Sequence, residues 1–185
     1  MAATLEKKAK RWTYEDYYKL QDDQRYEIIG GHLLMTPAPD TWLQDWLGDL
    51  YTLIRLFVKM NKLGRLFFAA VDVVLDQENT VQPDLVFVSA QNAGIIQTRA
   101  IFGTPDLLVE VVSPSSARRD RSQKMKLYAR FGVKEYWIGD AGKRSLEVLT
   151  LQEGRYALYC AAQGRGQVSS LVLTGLKFDV AEIET

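Results

Sequence analysis

The stretch TPDLLVEVVSPSS, residues 104–116, places a carboxylate, Glu110, at the centre of the apolar run LLVEVV. The leucine and valine residues on both sides of it predict a short strand that is buried on both faces. An unpaired carboxylate in such a strand is strongly disfavoured unless a cation, a cluster of hydrogen-bond donors or a metal ion compensates its charge. The rest of the chain must therefore supply partners for Glu110.

The overall composition is that of one globular domain. Of the 185 residues, 47% are apolar and 25% are charged, and 23 basic residues balance 23 acidic ones. We therefore expect residues 1–185 to form a single domain, with residues 1–11 as a flexible N-terminal segment. The neutral balance argues against a broad electrostatic grip on nucleic acid but permits a local basic patch.

Cysteine content and hydropathy indicate the compartment. Cys160 has no second cysteine to pair with in this chain, which fits a reducing environment. The basic N-terminal stretch lacks the apolar segment of a signal peptide, and no apolar run reaches transmembrane length. We therefore expect a cytoplasmic protein.

The first third of the chain predicts two helices and a hairpin. Thr13, followed three residues later by an aspartate, has the pattern of a capping box and predicts the start of a short helix. Two apolar pieces joined by Gly30–Gly31 predict a two-residue hairpin with Glu27 on its first strand. Apolar residues at helical spacing from 40 to 62 predict a long helix that ends near Gly64.

The remainder of the chain alternates predicted strands with one helix. In addition to the Glu110 strand, strands are predicted at 65–76, 82–89 and 134–140, and a helix within 113–132. The segment 143–185 predicts short hairpins that extend the sheet. The predicted fold is α/β, with one mixed central sheet, an N-terminal hairpin and extra C-terminal β hairpins.

The helix that follows the Glu110 strand carries the first partner. On this helix Asp120 and Lys124 share a face with apolar residues, so Lys124 is predicted to lie on the side that packs against the sheet. Lys124 lies about 13 Å along the helix at ~1.5 Å per residue, and Glu110 lies roughly 10 Å back from the end of its strand at about 3.3 Å per residue. The two side chains are therefore expected to come within reach of each other.

Asp84 begins another predicted strand and joins Glu110 if the two strands are neighbours. Two carboxylates and a nearby backbone carbonyl, that of Val111, suit Mg²⁺ or Mn²⁺, whereas the local sequence has no His or Cys cluster for zinc. A lysine beside them can orient an attacking water molecule and neutralise charge that develops on a phosphate. This combination is typical of a metal-dependent phosphodiesterase.

Three motifs resemble a known family. QPDLVFV (82–88), EVVSPSS (110–116) and RDRSQKMKLYARFGVKEYWIGD (119–140) are similar to a bacterial restriction-endonuclease family called Uma-two, within the PD-(D/E)XK nuclease-like superfamily. The resemblance extends from about Tyr14 to Asp140 and implies a restriction-endonuclease-like domain with an αβββαβ core. It also implies endonuclease activity on nucleic acid, with DNA as the expected substrate, and a homo-oligomer.

The resemblance assigns roles to individual residues. Asp84 and Glu110 match metal ligands of the family, and Glu27 matches an upstream glutamate that adds a ligand or holds the lysine. Val112 occupies the place of the superfamily's signature lysine, so Lys124 resembles a migrated replacement for it. These four polar residues are the candidate catalytic set.

The chain departs from the family pattern upstream of the site. Gly30, Gly31 and His32 stand where relatives usually have the sequence DGE, and Leu43 and Gln44 stand where relatives often have HQ. Whether the site is active depends in part on these positions. The departures leave Asp84, Glu110 and Lys124 intact.

Structural alternatives are open for each candidate. Glu110 and Lys124 can form a purely structural ion pair, Asp84 can be a turn residue, and Lys124 can instead extend its ammonium group to solvent. The basic residues Arg118, Arg119 and Arg121 either hold phosphates or form a solvated helix face.

Two functions other than a nuclease are also open at this stage. One is a non-catalytic scaffold or DNA-binding module that keeps the fold. The other is a glycosidase that uses Asp84 and Glu110 as its acid and base, but this reading leaves Lys124 unexplained.

Overall fold

The computed structural model describes residues 10–22, 24–36, 41–113 and 117–183. The helices are α1 (Tyr14–Tyr18), α2 (Thr41–Met60) and α3 (Met125–Phe131), with a π-helical turn (Arg119–Lys124) directly before α3 and 3₁₀ turns at Ala90–Ile95 and Val180–Glu182. The strands are β1 (Tyr26–Ile29), β2 (His32–Met35), β3 (Gly64–Phe68), β4 (Val73–Asp76), β5 (Asn79–Val81), β6 (Leu85–Ser89), β7 (Ile101–Phe102), β8 (Leu107–Val111), β9 (Glu135–Asp140), β10 (Ser145–Gln152), β11 (Arg155–Gln163), β12 (Gln167–Ser169) and β13 (Lys177–Asp179).

The central sheet has the strand order β11-β10-β9-β8-β6-β3. Strands β8 and β9 are parallel and are connected through the π-helical turn and α3, while the other neighbouring pairs in this sheet are antiparallel. A parallel pair requires such a crossover connection. The predicted α/β fold with an αβββαβ core is therefore confirmed as α2-β3-β6-β8-α3-β9, and β10 and β11 are the predicted C-terminal extension of the sheet.

A second sheet, of order β2-β1-β5-β4-β7, packs against the central one. It begins with the predicted hairpin, in which Gly30 and Gly31 both have positive φ (59° and 78°), the values that a two-residue turn of this kind requires. The predicted capping box is also present, because the Thr13 side chain accepts from the backbone of Asp16 and the Asp16 side chain accepts from that of Thr13. The N-terminal hairpin thus joins a separate sheet.

The alternation of side chains along β8 determines which face of the sheet Glu110 lies on. Leu107, Val109 and Val111 pack in the core cluster that includes α2, while Leu108 and Val112 pack in the cluster that includes α3 and the second sheet. Because successive side chains of a strand point to opposite faces, Glu110 faces α3 and the second sheet. The strand is buried on both faces, as its composition predicts.

The prediction of one strand over 65–76 is wrong. The chain forms β3 and β4 in two different sheets, because Phe68 pairs with Leu85, the first residue of β6, and the ladder has no further strand residue to continue on. Ala69 N–H then donates to the backbone carbonyl of Asp84, and the chain crosses to the second sheet. Local apolar composition is the same on both sides of this break, so it does not reveal the change of sheet.

The long predicted helix is confirmed, but its predicted end is not. Helix α2 ends at Met60, and the left-handed residue that follows is Lys62, with a φ of 54°. Gly64 is instead the first residue of β3, where an added Cβ would lie 2.2 Å from the Val88 carbonyl oxygen. The glycine is therefore required by close strand packing.

Three boundaries predicted from the sequence fall outside the described residues. The flexible segment 1–11 is described only from residue 10 onward, and there the Arg11 guanidinium donates to the Gly30 carbonyl at 3.3 Å. The predicted first residue of the long helix, at position 40, and part of the N-terminal end of the helix predicted within 113–132, at positions 114–116, also lie outside. Among the helices that the structure does describe, none combines the length and apolar character needed to span a membrane.

A glycine in β9 permits α2 to approach the sheet, which gives a first prediction. A Cβ built on Gly139 would lie 2.6 Å from the ring of Trp46, which is fully buried. We expect Gly139→Ala to lower the free energy of unfolding by about 1–3 kcal/mol, because the ring has no free space into which to move. Denaturant titration measures the change.

Gly48→Ala is the matched control. Gly48 lies within α2, and a Cβ there meets no heavy atom within 4 Å. Alanine in a helix interior should therefore raise the stability by roughly 0.5–1 kcal/mol. Equal effects of the two substitutions would contradict the close-packing explanation.

Candidate active site

Lys124 and Glu110 meet in the interior, as predicted. The Nζ atom of Lys124 lies 2.8 Å from Oε1 of Glu110. The Tyr128 hydroxyl donates to the same carboxylate oxygen at 2.7 Å. Lys124 is 2% exposed and Glu110 is 5% exposed. The charge of the strand carboxylate is thus compensated by two donors one helical turn apart.

Glu27 comes to the same lysine from the second sheet. Its Oε1 atom lies 2.8 Å from Lys124 Nζ and accepts the Gln82 backbone N–H at 2.9 Å. Glu27 is fully buried on β1, where an aliphatic residue would be expected. Of the two roles proposed for this glutamate, holding the lysine is the one that the contacts display.

Asp84 contacts β8, the strand that carries Glu110, along the edge that pairs with β6. The last pair between β6 and β8 is Leu85 with Val109, so Val111 lies beyond the ladder. The Asp84 side chain takes the place of the missing strand residue, since its Oδ2 atom accepts the Val111 N–H at 2.7 Å. Asp84 has the same parity as Val86, which packs in the α3 cluster, and therefore lies on the same face of the sheet as Glu110.

The π-helical turn adds a fourth carboxylate. Asp120 is buried, and its Oδ1 atom lies 3.7 Å from Lys124 Nζ. The backbone N–H of Met125 donates to the Asp120 carbonyl, five residues earlier, which is the bond that defines a π turn. Such turns are frequently found at functional sites, because the extra residue re-aims the side chains around it.

Arg119 lies at the edge of this cluster. Its guanidinium is 4.0 Å from Oε2 of Glu27 and 3.9 Å from Oδ1 of Asp120. Neither carboxylate oxygen has a hydrogen-bond partner among the described residues, although both are buried. The site therefore holds more carboxylate oxygens than its donors satisfy.

Burial and mutual repulsion shift the pKa of the strand carboxylate. Burial raises the pKa of Glu110 well above its ordinary value, and Lys124 only partly opposes this. The negative charges of Asp120, Asp84 and Glu27 raise that pKa further. A bound cation would favour the ionised form of Glu110.

The pKa values of the other two predicted carboxylates, Asp84 and Glu27, are shifted in opposite directions. Burial raises the pKa of Asp84 to about 6, against the opposing effects of the Val111 N–H and the Lys124 charge. Burial alone would also raise the pKa of Glu27, but Lys124 and the Gln82 N–H outweigh it and hold that pKa below its usual value. Glu27 is thus the permanent counter-ion of the lysine, and Asp84 is a carboxylate without a cation in contact.

The three arginines of the predicted basic patch differ in their contacts. Arg118 is exposed, whereas Arg119 leans toward the carboxylates. Arg121 makes two hydrogen bonds, of 2.9 and 2.7 Å, to the Glu147 carboxylate on β10. Of the three arginines, only Arg118 projects into solvent without a carboxylate contact among the described residues.

Three contributors to the site were not assigned a role in it from the sequence, although the sequence analysis places Asp120 on the same helix face as Lys124. Asp120 and Tyr128 lie four residues before and after Lys124, a spacing that puts them on its helix face and that serves as a usable signal. Gln82 contributes through its backbone N–H. Every residue except proline has this group, so the residue type does not reveal the contact. Its side chain also bonds to Asp72 at 2.8 Å and so fixes the segment that precedes Asp84.

The donor set fits a hard divalent cation supplemented by water. Within the described ranges, no group of three or more His, Cys, Asp or Glu side chains is arranged to hold a metal ion. Mg²⁺ is, however, usually bound through one or two carboxylates and several water molecules. Asp84 and Glu110, on one face of the sheet and both with raised pKa, meet that smaller requirement.

Comparison with known proteins identifies the family and the fold. Residues 14–181 match the Uma2 family, described as "Putative restriction endonuclease". The chain belongs to this family. Among solved structures, the crystal structure of a "putative nuclease belonging to DUF820" from Anabaena variabilis ATCC 29413 is similar, with a TM-score of 0.75 and 16% identity, and the match covers 92% of this chain and 96% of that one. No curated protein matches.

Family membership supports a nuclease, and the solved structure supports the fold. The solved structure shares the restriction-endonuclease-like fold, and at 16% identity it supports the fold alone. Membership of the Uma2 family supports a hydrolase that acts on nucleic acid. The resemblance of the three sequence motifs to this family is confirmed.

The buried lysine gives a second prediction. Lys124→Met removes the cation that contacts Glu27 and Glu110, so buried carboxylates lose their compensation. We expect the free energy of unfolding at neutral pH to fall by about 3–5 kcal/mol. Urea denaturation followed by circular dichroism measures the loss.

Lys126→Met is the control for this experiment. Lys126 lies two residues away on α3 and is exposed, so its removal should change stability by less than about 0.5 kcal/mol. If the two lysine substitutions have similar effects, the ion pair does not stabilise the folded protein in the way proposed.

Proposed function

We propose that this Uma2 protein is a Mg²⁺- or Mn²⁺-dependent endonuclease. Asp84, Glu110 and the Val111 carbonyl would hold the metal, and Lys124 would position the attacking water. The observation that carries the proposal is a fully buried lysine held 2.8 Å from each of two carboxylates, with Asp84 on the same face of the sheet. The membership of an endonuclease family supports it.

Asp84 and Glu110 would hold the metal, which would supply Lewis-acid polarisation of the scissile phosphate and acidification of a water molecule. Val111 contributes through geometry, since its N–H already fixes Asp84 at the edge of β8. The Arg118, Arg119 and Arg121 side chains would contact the nucleic-acid backbone, with Arg121 having to leave Glu147 to do so.

Lys124 acts as a cation in this scheme. Burial alone would lower the pKa of Lys124, but Glu110, Glu27 and Asp120 outweigh it and hold that pKa above its usual range. The ammonium group therefore donates hydrogen bonds and neutralises charge on the phosphate, and does not serve as a base. Glu27 is a positioning residue that keeps the ammonium group beside Glu110.

Tyr128 supports the same carboxylate. Burial and the nearby Glu110 charge raise the pKa of Tyr128 well above its ordinary value, so its hydroxyl remains a donor. It donates to Oε1 of Glu110, the oxygen that Lys124 also contacts. Both donors therefore use one oxygen of the carboxylate, and the second oxygen is the one available to a metal.

The alternative is a non-catalytic module that keeps the nuclease fold. The completed ion pair of Lys124 with Glu27 and Glu110 favours it, because such a cluster also stabilises a fold without catalysis.

DNA as the substrate, a homo-oligomeric state and a cytoplasmic location stay predictions.

Cleavage assays provide the third prediction. With Mn²⁺ present, we expect the protein to cut plasmid DNA, single-stranded DNA or RNA. Glu110→Gln and Lys124→Met should each reduce the rate by about 10²–10³-fold, the loss typical of removing one charge-stabilising group. Lys126→Met, on the exposed side of the same helix, should cleave at the wild-type rate.

Two results would count against the proposal in different ways. Absence of cleavage on all three substrates would favour the scaffold. Cleavage that survives both Glu110→Gln and Lys124→Met would show that the chemistry lies elsewhere in the protein.

A fourth prediction concerns pH and metal. In the unfolded chain Asp84 and Glu110 ionise near pH 4, whereas in the folded protein Asp84 keeps its proton until about pH 6 and Glu110 also ionises later. The folded state therefore binds more protons in this window, and without metal these groups should make stability fall as the pH rises from about 4 to about 6. Mn²⁺ should raise the melting temperature at pH 8 and have little effect at pH 4.5.

Asp84→Asn tests this assignment. Asparagine removes the negative charge but keeps an oxygen that can accept the Val111 N–H. The variant should be more stable than the wild type at pH 8 without metal and should show no rise in melting temperature with Mn²⁺. A wild-type response to Mn²⁺ in this variant would remove Asp84 from the metal site, and isothermal titration calorimetry would report the same loss directly.

A further inference from the structure

A half-exposed tryptophan lies beside the proposed site. Trp42 is the second residue of α2 and is 49% exposed, whereas Trp46, one turn later, is fully buried in the core. The Trp42 side chain lines two concave surfaces. One has a volume of about 420 Å³ and includes Val112 and Gly142, and the other has a volume of about 590 Å³ and includes Gln44. The indole therefore has open space beside it in two directions.

The smaller cavity adjoins the metal-binding strand. Val112, in its wall, is two residues after Glu110, which corresponds to roughly 7 Å of extended chain at about 3.3 Å per residue. The turn after β9 forms another wall, and β9 runs parallel to β8 with Gly139 opposite Val111. The cavity thus lies over the carboxyl ends of the two strands that flank the site.

Exposed basic residues lie in the wall of this cavity and next to it in the chain. Lys143 and Arg144, in the turn between β9 and β10, are exposed, and so is Arg118 at the start of the next helical segment. The one carboxylate in the wall, Asp140, lies 2.6 Å from Lys143, which balances its charge. On the other side of Trp42, Asp45 is the acidic residue. In the walls themselves Lys143 is the basic residue, and the exposed Arg118 and Arg144 each follow a wall residue, Ala117 and Lys143, directly in the chain.

We propose that Trp42 stacks on an unpaired nucleobase of the substrate, and that Lys143 and Arg144 contact the adjoining phosphates. This inference rests on the proposed nuclease function, because it places the base near the phosphate that the metal ion proposed at Asp84 and Glu110 would polarise. An aromatic side chain beside a positively charged groove is the combination used to bind single strands. In a duplex the face of each base is covered by its neighbours, so Trp42 selects single-stranded or locally melted nucleic acid.

Binding in the presence of EDTA tests the inference apart from cleavage. Fluorescence anisotropy is measured with labelled single-stranded DNA, single-stranded RNA and duplex DNA. Trp42→Ala should weaken binding of at least one of the two single strands by about tenfold or more and leave duplex affinity nearly unchanged. Tyr159→Ala, at an exposed aromatic residue of the edge strand β11, is the matched control and should leave all three affinities at the wild-type level.

Two further measurements separate stacking from general structure. Tryptophan fluorescence should be quenched when the single strand binds, and Trp42→Phe should keep most of the affinity but lose that part of the quenching. Arg144→Ala should weaken single strand and duplex alike and reduce the slope of log affinity against log salt by about one.

The outcomes distinguish this inference from the catalytic proposal. If Trp42→Ala binds single strands as the wild type does, or loses single-strand and duplex affinity equally, the stacking role is overturned even where Mn²⁺-dependent cleavage is observed. A selective loss for single strands supports it, and does so even if no substrate is ever cleaved, in which case only the catalytic proposal fails.

Discussion

The contact on which the site depends is the one between the Lys124 ammonium and the carboxylates of Glu27 and Glu110. Glu27 belongs to the second sheet, Glu110 to the central sheet, and Lys124 to the helical segment between β8 and β9. A charge this deeply buried is tolerated only with its partners in place. One cation therefore fixes three structural elements relative to one another, and a shift of any of them leaves a charge uncompensated.

The same contact leaves the site with an excess of negative charge. Lys124 compensates Glu27 and Glu110 in part, but Asp84 and Asp120 add two carboxylates whose nearest cations are not in hydrogen-bond contact. Repulsion of this kind lowers the stability of the metal-free fold, as strain at functional sites generally does. A divalent cation would remove this repulsion without disturbing the ion pair, which is the physical basis of the proposed metal site.

Much of the fold was predictable because its signals are local. The capping box at Thr13, the hairpin glycines and the long amphipathic helix each follow from neighbouring residues, and so does the strand that buries Glu110. The approach of Lys124 to Glu110 was predictable from helix and strand dimensions alone. The break within 65–76 was not, because it depends on where β6 begins, and β6 is distant in sequence.

The parts of the site that escaped prediction have the same physical origin. Gln82 acts through its backbone N–H, and its effect depends on the antiparallel pairing of β1 with β5, the strand that Gln82 directly follows. The orientation of Asp120 depends on a π turn that no residue type encodes by itself.

Asp84 differs from the other carboxylates in one respect that separates stability from function. Glu27 and Glu110 contact Lys124 directly, so a change at either residue disturbs the ion pair that joins the sheets. Among the described residues, the hydrogen bond of the Asp84 side chain is to the Val111 N–H, and a neutral side chain can also accept that bond. The fold therefore does not depend on the negative charge of Asp84. Because this charge lowers the stability of the metal-free protein, its proposed role is to bind the metal ion. Asp84 directly precedes β6, where the ladder with β8 stops, and this position is what allows its carboxylate to bond the Val111 N–H.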